Sequence, residues 1–478
     1  MRYKFKHKPY DHQLKALNKC WNKPYYALFM DMGTGKSKVL IDNFSILYDQ
    51  GKIRAALIVA PKSVYRNWLE KEIPFHIPEH VSHSMVAWSP ATTKKNQQYL
   101  QSLYEPEEKL KILLMNVEAF STKKGLEFAK KFLDIYPTLF AIDESTTIKN
   151  RTAARTKNLI KLSKKAVYRR ILTGSPITRS PLDLFTQCEF LKEGSLKHSS
   201  FWTFQSRYAK MMRRNLGSHA FNQILGYQNL DELNSIIEPF SYRVRKEDCL
   251  DLPDKVYTRR SVELTKPQAD AYSDLKQSAL AMVEGSVVSA STVLTQILRL
   301  QQVCSGFVNT EEGEMKRLPN NKMPELLSVI EETDGKVIIW ANFTADLHAI
   351  RDELTEKYGE STCAVFSGET TAEQRQQIVA DFQKPDHPLR FFIGQPRTGG
   401  FGLTLTEAKT VVYYSNGYDL EVRLQSEDRA HRIGQTNKVT YVDIVTEKTV
   451  DQKILKALRS KIDIASLILA EGHKEWLI

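Results

Sequence analysis

"YYALFMDMGTGKSK", residues 25–38, decides how the fold is read. A six-residue apolar run stops at Asp31, two glycines follow, and a lysine and a serine then open a segment with helical spacing. A strand that leads through a glycine turn into a helix leaves the first backbone N–H groups of the helix free, where they suit a phosphate. The strict phosphate-loop pattern wants a further glycine five positions before Gly35, and Met30 stands there instead. The physical core survives: Gly33 and Gly35 let the backbone curl, Lys36 can reach the β- and γ-phosphates, and Ser37 can offer its hydroxyl to Mg²⁺. The run Met32, Gly33, Thr34, Gly35, Lys36, Ser37 and Lys38 is therefore read as nucleotide-contacting.

Similar apolar runs recur between segments of helical pattern. "AALIVAP" (55–61), "KILLMN" (111–116), "TLFAID" (138–143) and "RRILTG" (169–174) complete a first set with "YYALFM" (25–30). "KVIIWA" (336–341), "CAVFSG" (363–368), "RFFIGQ" (390–395), "TVVYYS" (410–415) and "KVTYVDIV" (438–445) make a second. Continuous apolar strands alternating with helices predict parallel sheets covered on both faces, and two sets predict two α/β lobes. The chain between about 181 and 335 reads as mostly helical, and "CLDLPDKVY" (249–257) as the crossing between lobes. The expected organisation is a first lobe over 1–250, with a helical insertion at about 181–250, and a second over 251–478. Within the second, a helical part is expected at about 265–330 and a terminal helix at about 449–470, packed back on the body.

A length of 478 residues allows two or three domains, and 42% apolar with 26% charged residues is a globular balance, not a disordered one. Lys and Arg number 68 against 56 Asp and Glu, a net charge of +12 that suits a polyanionic partner and equally suits solubility. The five cysteines are scattered, with no CxxC pair, which argues against a disulfide framework and a structural zinc site and for a reducing compartment. The opening "MRYKFKHKPY" lacks the apolar core of a signal peptide, and no apolar run reaches the roughly 20 residues needed to cross a bilayer. A soluble, intracellular protein is expected.

A phosphate loop needs an acidic element at a neighbouring strand end, and "DESTTIKN" (143–150) supplies one. Asp143 would hold Mg²⁺ and Glu144 would polarise the attacking water. An acidic pair after a strand is commonly a solvated turn; Lys36 upstream gives this one its nucleotide reading. Charge on the γ-phosphate must also be met from another side. "QSEDRAHRIGQ" (425–435) offers Arg429 and Arg432, three apart and on one face if helical. No phosphate loop occurs in the second set of strands, so the two lobes are unequal partners around one ATP.

Seven stretches in order, "DMGTGKS", "LIVAPKSVYRNW", "DESTTIKN", "LTGSPITRSPLDLF", "KVIIWANF", "TGGFGLTLTEA" and "QSEDRAHRIGQ", resemble the helicase motifs of Swi/Snf-type superfamily-two ATPases. The resemblance runs from about Tyr10 to about residue 460, and "DRAHRIGQ" is its most specific part. It implies two RecA-like α/β lobes with a mostly helical insertion between them and ATP, with Mg²⁺, in the cleft on the first lobe. It implies a DNA-dependent ATPase that translocates on double-stranded DNA and remodels it or displaces what is bound. A strand-separating or branch-remodelling helicase on DNA or RNA keeps the same ATP site, and a nucleic-acid-binding scaffold with a vestigial ATPase is the alternative of another class. Branched or single-stranded nucleic acid is a further possible partner. With no added reader, zinc module or nuclease motif, the resemblance is to a compact bacterial or viral member, expected in the cytoplasm of a bacterium or virus-infected cell sooner than in a nucleus.

Carried over by resemblance, Gln13 reads the adenine edge, Lys36 and Ser37 contact phosphate and metal, and Asp143 and Glu144 are the acid pair. Thr173, Gly174 and Ser175 match the motif that couples hydrolysis to movement. Gln425, Arg429 and Arg432 close on the γ-phosphate, and Gly400 and Gly402 lie in a loop bordering nucleotide and nucleic acid. The track residues are Lys62, Ser63, Asn116 and Lys149 in the first lobe, with Pro61 and Glu118 beside them. In the second they are Asn342, Phe343, Ser367, Gly368, Thr398 and Gly399. Hydroxyls, lysines and backbone N–H groups suit a phosphodiester track because they bind phosphate without reading bases. Trp68 and Trp340 read as core anchors, not stacking platforms. Two departures stand out: Thr146 replaces a histidine common in the family, and Thr178–Arg179 replaces Gln-Asn. Neither position is a metal ligand or base, so hydrolysis is expected to survive and the coupling of ATP state to grip to change.

Overall fold

The continuous apolar runs become the central strands of two parallel sheets. In this computed structural model residues 3–460 are described, except 63, 178–179, 217–218, 250–251, 286–289, 310–313, 400–402 and 433. The chain divides into two units, Met1–Leu250 and Asp251–Ile478. In the first, β1 (Tyr25–Met30), β2 (Ala55–Ala60), β3 (His83–Ala87), β4 (Leu110–Asn116), β5 (Thr138–Asp143) and β6 (Tyr168–Thr173) are followed by β7 (Ala209–Leu216), β8 (His219–Tyr227) and β9 (Ser241–Val244). The main sheet has the order β3-β4-β2-β5-β6-β1-β9 with every neighbouring pair parallel; β7 and β8 form a separate antiparallel hairpin.

In the second unit the strands are β10 (Lys255–Val262), β11 (Phe307–Asn309), β12 (Met315–Arg317), β13 (Lys336–Trp340), β14 (Cys363–Phe366), β15 (Phe391–Gly394), β16 (Ala408–Tyr413) and β17 (Val439–Thr446). The sheet order β10-β17-β16-β13-β15-β14 is again wholly parallel. Period-two alternation along β13 explains why its sequence is apolar from Val337 onward. Val337, Ile339 and Ala341 pack on one face with Leu347, Ile350 and Leu354 of helix Thr344–Tyr358, while Ile338 and Trp340 pack on the other with Phe366 and Phe382. Each such side chain, fully buried, contributes about 1.5–3 kcal/mol, so both faces depend on their helical cover.

Three strands of the two parallel sheets have no continuous apolar run to announce them: "HSMVA" (β3), "SYRV" (β9) and "KVYTRRSV" (β10). All three lie at sheet edges, where one side is exposed and polar residues are tolerated. The stretch 181–250, expected to be mostly helical, holds helices Leu184–Leu191, Phe201–Tyr208 and Leu230–Ile237 but also the β7–β8 hairpin and β9. That expectation is corrected. The later helices Lys266–Gly285 and Ala290–Ser305 pack with Val450–Arg459 through Tyr272, Val293, Ile297, Leu300 and Ile454; the remainder of the expected terminal helix lies outside the described residues. Among the described residues no helix is long and apolar enough to cross a membrane.

Candidate functional site

Because the first sheet is wholly parallel, the loops that leave its strands at their C-terminal ends share one edge, the place where open α/β sheets bind ligands. Glycines shape the loop after β1. Gly33 has φ +76° and Gly35 φ +86°, the left-handed region that a β-carbon disfavours. Gly35 is also pressed by Gln13, whose Nε2 would lie 2.1 Å from a β-carbon there. Gln13 sits on helix Asp11–Cys20, donates to the Thr34 carbonyl at 3.0 Å and accepts the Tyr10 N–H at 3.1 Å, so its amide braces the loop. Thr34 Oγ1 closes the turn by donating to the Asp31 carbonyl at 2.7 Å.

Helix Lys36–Asp49 starts directly after Gly35 with no acidic residue in its first turn, which leaves its positive end to an incoming anion. The Lys36 ammonium turns back onto the loop, donating to the Met30 carbonyl at 2.8 Å and the Asp31 carbonyl at 3.3 Å. Ser37 is half-buried in the same turn and Met32 half-buried in the loop. The Lys38 side chain pairs within its own helix: its Nζ lies 2.8 Å from Asp42 Oδ2, both groups buried. Burial pushes the Asp42 carboxyl up to about 6 against the pull of Lys38. An i,i+4 Lys–Asp pair on one helix face was readable in the sequence.

The acid pair stands where β5 ends. Asp143 Oδ2 accepts from Trp68 Nε1 at 2.9 Å, and Oδ1 accepts from the Glu144 N–H at 3.0 Å. Trp68 is fully buried, as is Trp340, so the first is a core anchor that also holds the acid. Burial raises the Asp143 carboxyl above its ordinary range, with Lys36 and the Trp68 bond pulling the other way. Glu144 adopts φ +50°, in the left-handed region, and starts the tight turn Ser145–Ile148. Thr146 is buried in that turn, and its carbonyl accepts the Lys149 N–H at 3.1 Å.

After β6, the buried Thr173 accepts the Ser175 N–H on Oγ1 at 3.2 Å. A β-carbon on Gly174 would come within 3.3 Å of Met32 N, so this loop backs directly onto the phosphate loop. Since β5, β6 and β1 are neighbours, the acids, the "LTGSP" loop and the phosphate loop leave adjacent strands. The next strands outward are β2 and β4. Lys62 follows β2 and is exposed. Asn116 ends β4, where its Oδ1 caps the following turn by accepting the Ala119 N–H at 2.8 Å. Ser63 and the Thr178–Arg179 pair lie outside the described residues.

In the second unit the expected track residues again follow parallel strands. Asn342 and Phe343 follow β13; the Asn342 N–H donates to Ser415 Oγ at 2.8 Å, and Phe343 packs edge-on against Phe307. Ser367 and Gly368 follow β14, with the Ser367 carbonyl tied to Arg375 at 2.7 Å and Gly368 exposed. Thr398 and Gly399 lie in the short helix Pro396–Gly399; Gly400 and Gly402 lie outside the described residues.

Beneath Asn342, Ser415 Oγ donates to Asp346 Oδ2 at 3.1 Å. Burial pushes Asp346 up to about 7, with Lys322 and the Ser415 hydrogen bond opposing. Lys322 itself pairs with Asp451 at 2.6 Å. A carboxyl whose folded pKa is raised stabilises the fold fully below its unfolded value, and that contribution is lost as pH rises through the folded value. In urea unfolding, Asp346→Asn should therefore gain on the parent between pH 5 and 7, on the order of 2–3 kcal/mol, and level off above that. A difference that stays flat across this range removes Asp346 as the titrating group.

Arg429 and Arg432 are not on a helix: helix Leu420–Glu427 ends before them and they occupy the turn that follows. The turn still brings them together, because both Nη1 groups donate to the Leu403 carbonyl, at 3.3 and 3.0 Å. Arg429 Nε also bonds the Gln425 carbonyl at 3.0 Å. Gln425 is buried, its Nε2 donating to Glu421 at 3.1 Å. A buried ion-pair cluster that no motif announces fixes this segment. Arg423 bonds Glu427 at 2.9 Å and the fully buried Asp443 at 2.5 Å, and Glu427 also takes Lys255 at 3.0 Å and the Tyr257 hydroxyl at 2.7 Å. Arg423 and Glu427 are one helical turn apart, but Asp443, Lys255 and Tyr257 are distant in sequence and leave no local pattern.

Ser37 and Asp143 provide hard oxygen donors of the kind Mg²⁺ takes, and a carboxylate whose ionisation burial opposes gains from a nearby dication, so the residues present fit the metal.

A family model described as an SNF2-related domain matches residues 12–307, and one described as a helicase conserved C-terminal domain matches residues 320–434. Among curated proteins, the chain is similar to the putative ATP-dependent helicase/translocase YwqA of Bacillus subtilis, at 25% identity over 94% of this chain and 46% of that protein. It is also similar to Protein CHROMATIN REMODELING 4 of Arabidopsis thaliana, at 24% identity over 97% of this chain and 21% of that one. The chain thus spans less than half the length of these relatives. A solved structure, the Sulfolobus solfataricus SWI2/SNF2 ATPase core in complex with dsDNA, aligns over 99% of this chain and 96% of that one, with 24% identity and a TM-score of 0.44.

Proposed function

The chain belongs to the SNF2-related family, and from that membership we propose that it is a DNA-dependent ATPase that translocates on double-stranded DNA, remodelling it or displacing what is bound. The observation that carries this reading is the adjacency of β5, β6 and β1, whose loops are the acid pair, the "LTGSP" turn and the phosphate loop. ATP enters with its phosphates on the N–H groups of the loop and the start of helix Lys36–Asp49. Lys36 exchanges its two carbonyl bonds for phosphate oxygens, and Gln13 is beside the loop to meet the adenine. Ser37 and Asp143 would hold Mg²⁺, which would supply positive charge against that developing on the phosphates. Glu144 takes a proton from the attacking water, and Arg429 and Arg432 supply positive charge to the γ-phosphate.

The track is proposed to be duplex phosphate, gripped by Lys62, Asn116 and Lys149 in the first unit and by Asn342, Ser367, Gly368 and Thr398 in the second. Alternation of grip with ATP state moves the chain along it. The test is steady-state ATPase activity with duplex DNA, single-stranded DNA or RNA, and Lys36→Ala as control. Duplex DNA is expected to stimulate most, and Lys36→Ala to abolish the activity. Stimulation by RNA alone overturns the duplex assignment, and hydrolysis indifferent to nucleic acid overturns the motor.

A further inference from the structure

One side chain outside every motif touches both the acid turn and the coupling loop. Gln187 lies on helix Leu184–Leu191 and is fully buried. Its Oε1 accepts the Ser145 hydroxyl at 2.6 Å, from the residue that directly follows Glu144. Its Nε2 donates to the Pro176 carbonyl at 2.8 Å, from the residue that directly follows "LTGS", and to the Asp183 carbonyl at 2.9 Å. The neighbouring Thr186 hydroxyl ties the far end of the acid turn by donating to the Ile148 carbonyl at 2.7 Å. On its other side the coupling loop meets the phosphate loop through Gly174. A path of contacts therefore runs from the base to the phosphate loop, and the Gln187 amide is its middle member.

We infer that Gln187 is a positioning residue: with Ser145 it holds Glu144 in register with the "LTGSP" loop, so that movement of that loop is felt at the base. Burial alone does not ask for this amide. An apolar pair at 145 and 187 fills a core without hydrogen bonds, whereas a buried polar group must have every partner in place and so fixes one arrangement of both turns. The bond also stands beside Thr146, at the turn where the sequence departs from its family. Coupling here runs through the residue before Thr146.

The inference rests on the ATPase reading, and its test separates the two. Turnover and KM for ATP are measured with and without saturating duplex DNA for the parent, Gln187→Leu, Ser145→Ala and the double variant. The ratio of stimulated to basal kcat is expected to fall about tenfold in each single variant, the rate equivalent of roughly one hydrogen bond, with KM for ATP unchanged. The double variant is expected to be no worse than Gln187→Leu alone, because the bond lost in Ser145→Ala is already among those lost there. If Gln187→Leu fails to fold, Ser145→Ala, which removes one oxygen from that bond, decides the matter with Ser145→Thr as its rescue. A parent that ignores duplex DNA overturns the functional reading and the inference with it. A parent that responds, beside variants with an undiminished ratio, overturns the inference alone, as do losses that add in the double variant or fall on KM.

Discussion

Glutamine in place of Glu144 is expected to slow ATP turnover by about 10²–10⁴-fold, the usual contribution of a positioned general base, and to leave nucleotide binding intact. The substitution keeps the shape of the side chain and removes its ability to accept a proton. What anchors the position is backbone: the N–H that donates to Asp143 Oδ1 is unaffected by the change. Nor does the left-handed conformation add a new cost, since both residues carry the same β-carbon. Single-turnover hydrolysis combined with a fluorescent-nucleotide titration measures both quantities on one preparation. Turnover within about threefold of the parent, too small a change for a lost general base, would take that role away from Glu144. Lys36→Ala marks the contrast, because it should weaken binding as well as turnover.

Removing Arg432 should cost about 10³–10⁵ in turnover, the range for a residue that meets γ-phosphate charge in the transition state. In Arg432→Ala the nucleotide is still expected to bind, since the loop and helix that cradle it belong to the first unit. The side chain is only half-buried and its bond to Leu403 goes to a backbone carbonyl, so the fold should tolerate its loss. Arg429→Ala differs in kind: that guanidinium is buried and bonded to both Gln425 and Leu403, and its removal should lower the melting temperature together with the rate. Melting curves and nucleotide titrations therefore separate the two arginines. Unchanged turnover in Arg432→Ala would dismiss it from the γ-phosphate.

How much the sequence discloses depends on how local each feature is. Strands buried on both faces must be apolar throughout, and the phosphate loop, acid pair and "LTGSP" turn are each short and contiguous, so all are legible in the chain itself. Edge strands carry no such requirement, and β3, β9 and β10 pass unread. The side chains that hold the site are hidden for a different reason. Trp68 meets Asp143 from 75 positions away and Gln187 meets Ser145 from 42, with no periodicity to announce either. Gln187 sits in "LFTQCEFL", which reads simply as a buried helix. The Lys38–Asp42 pair is the opposite case: its partners are one helical turn apart, a spacing the sequence itself displays.

The backbone of Glu144 sets two demands on the chain against each other. A residue with a β-carbon at φ +50° costs roughly 1–3 kcal/mol that a glycine there would not. Selection for a sturdier fold would drift this position towards glycine or asparagine, and neither can take up the proton. The acid is thus retained against the preference of its own turn. Variants collected for heat resistance, without a demand for turnover, should include changes at this residue, as at Lys197 and Lys448, whose backbones are also left-handed.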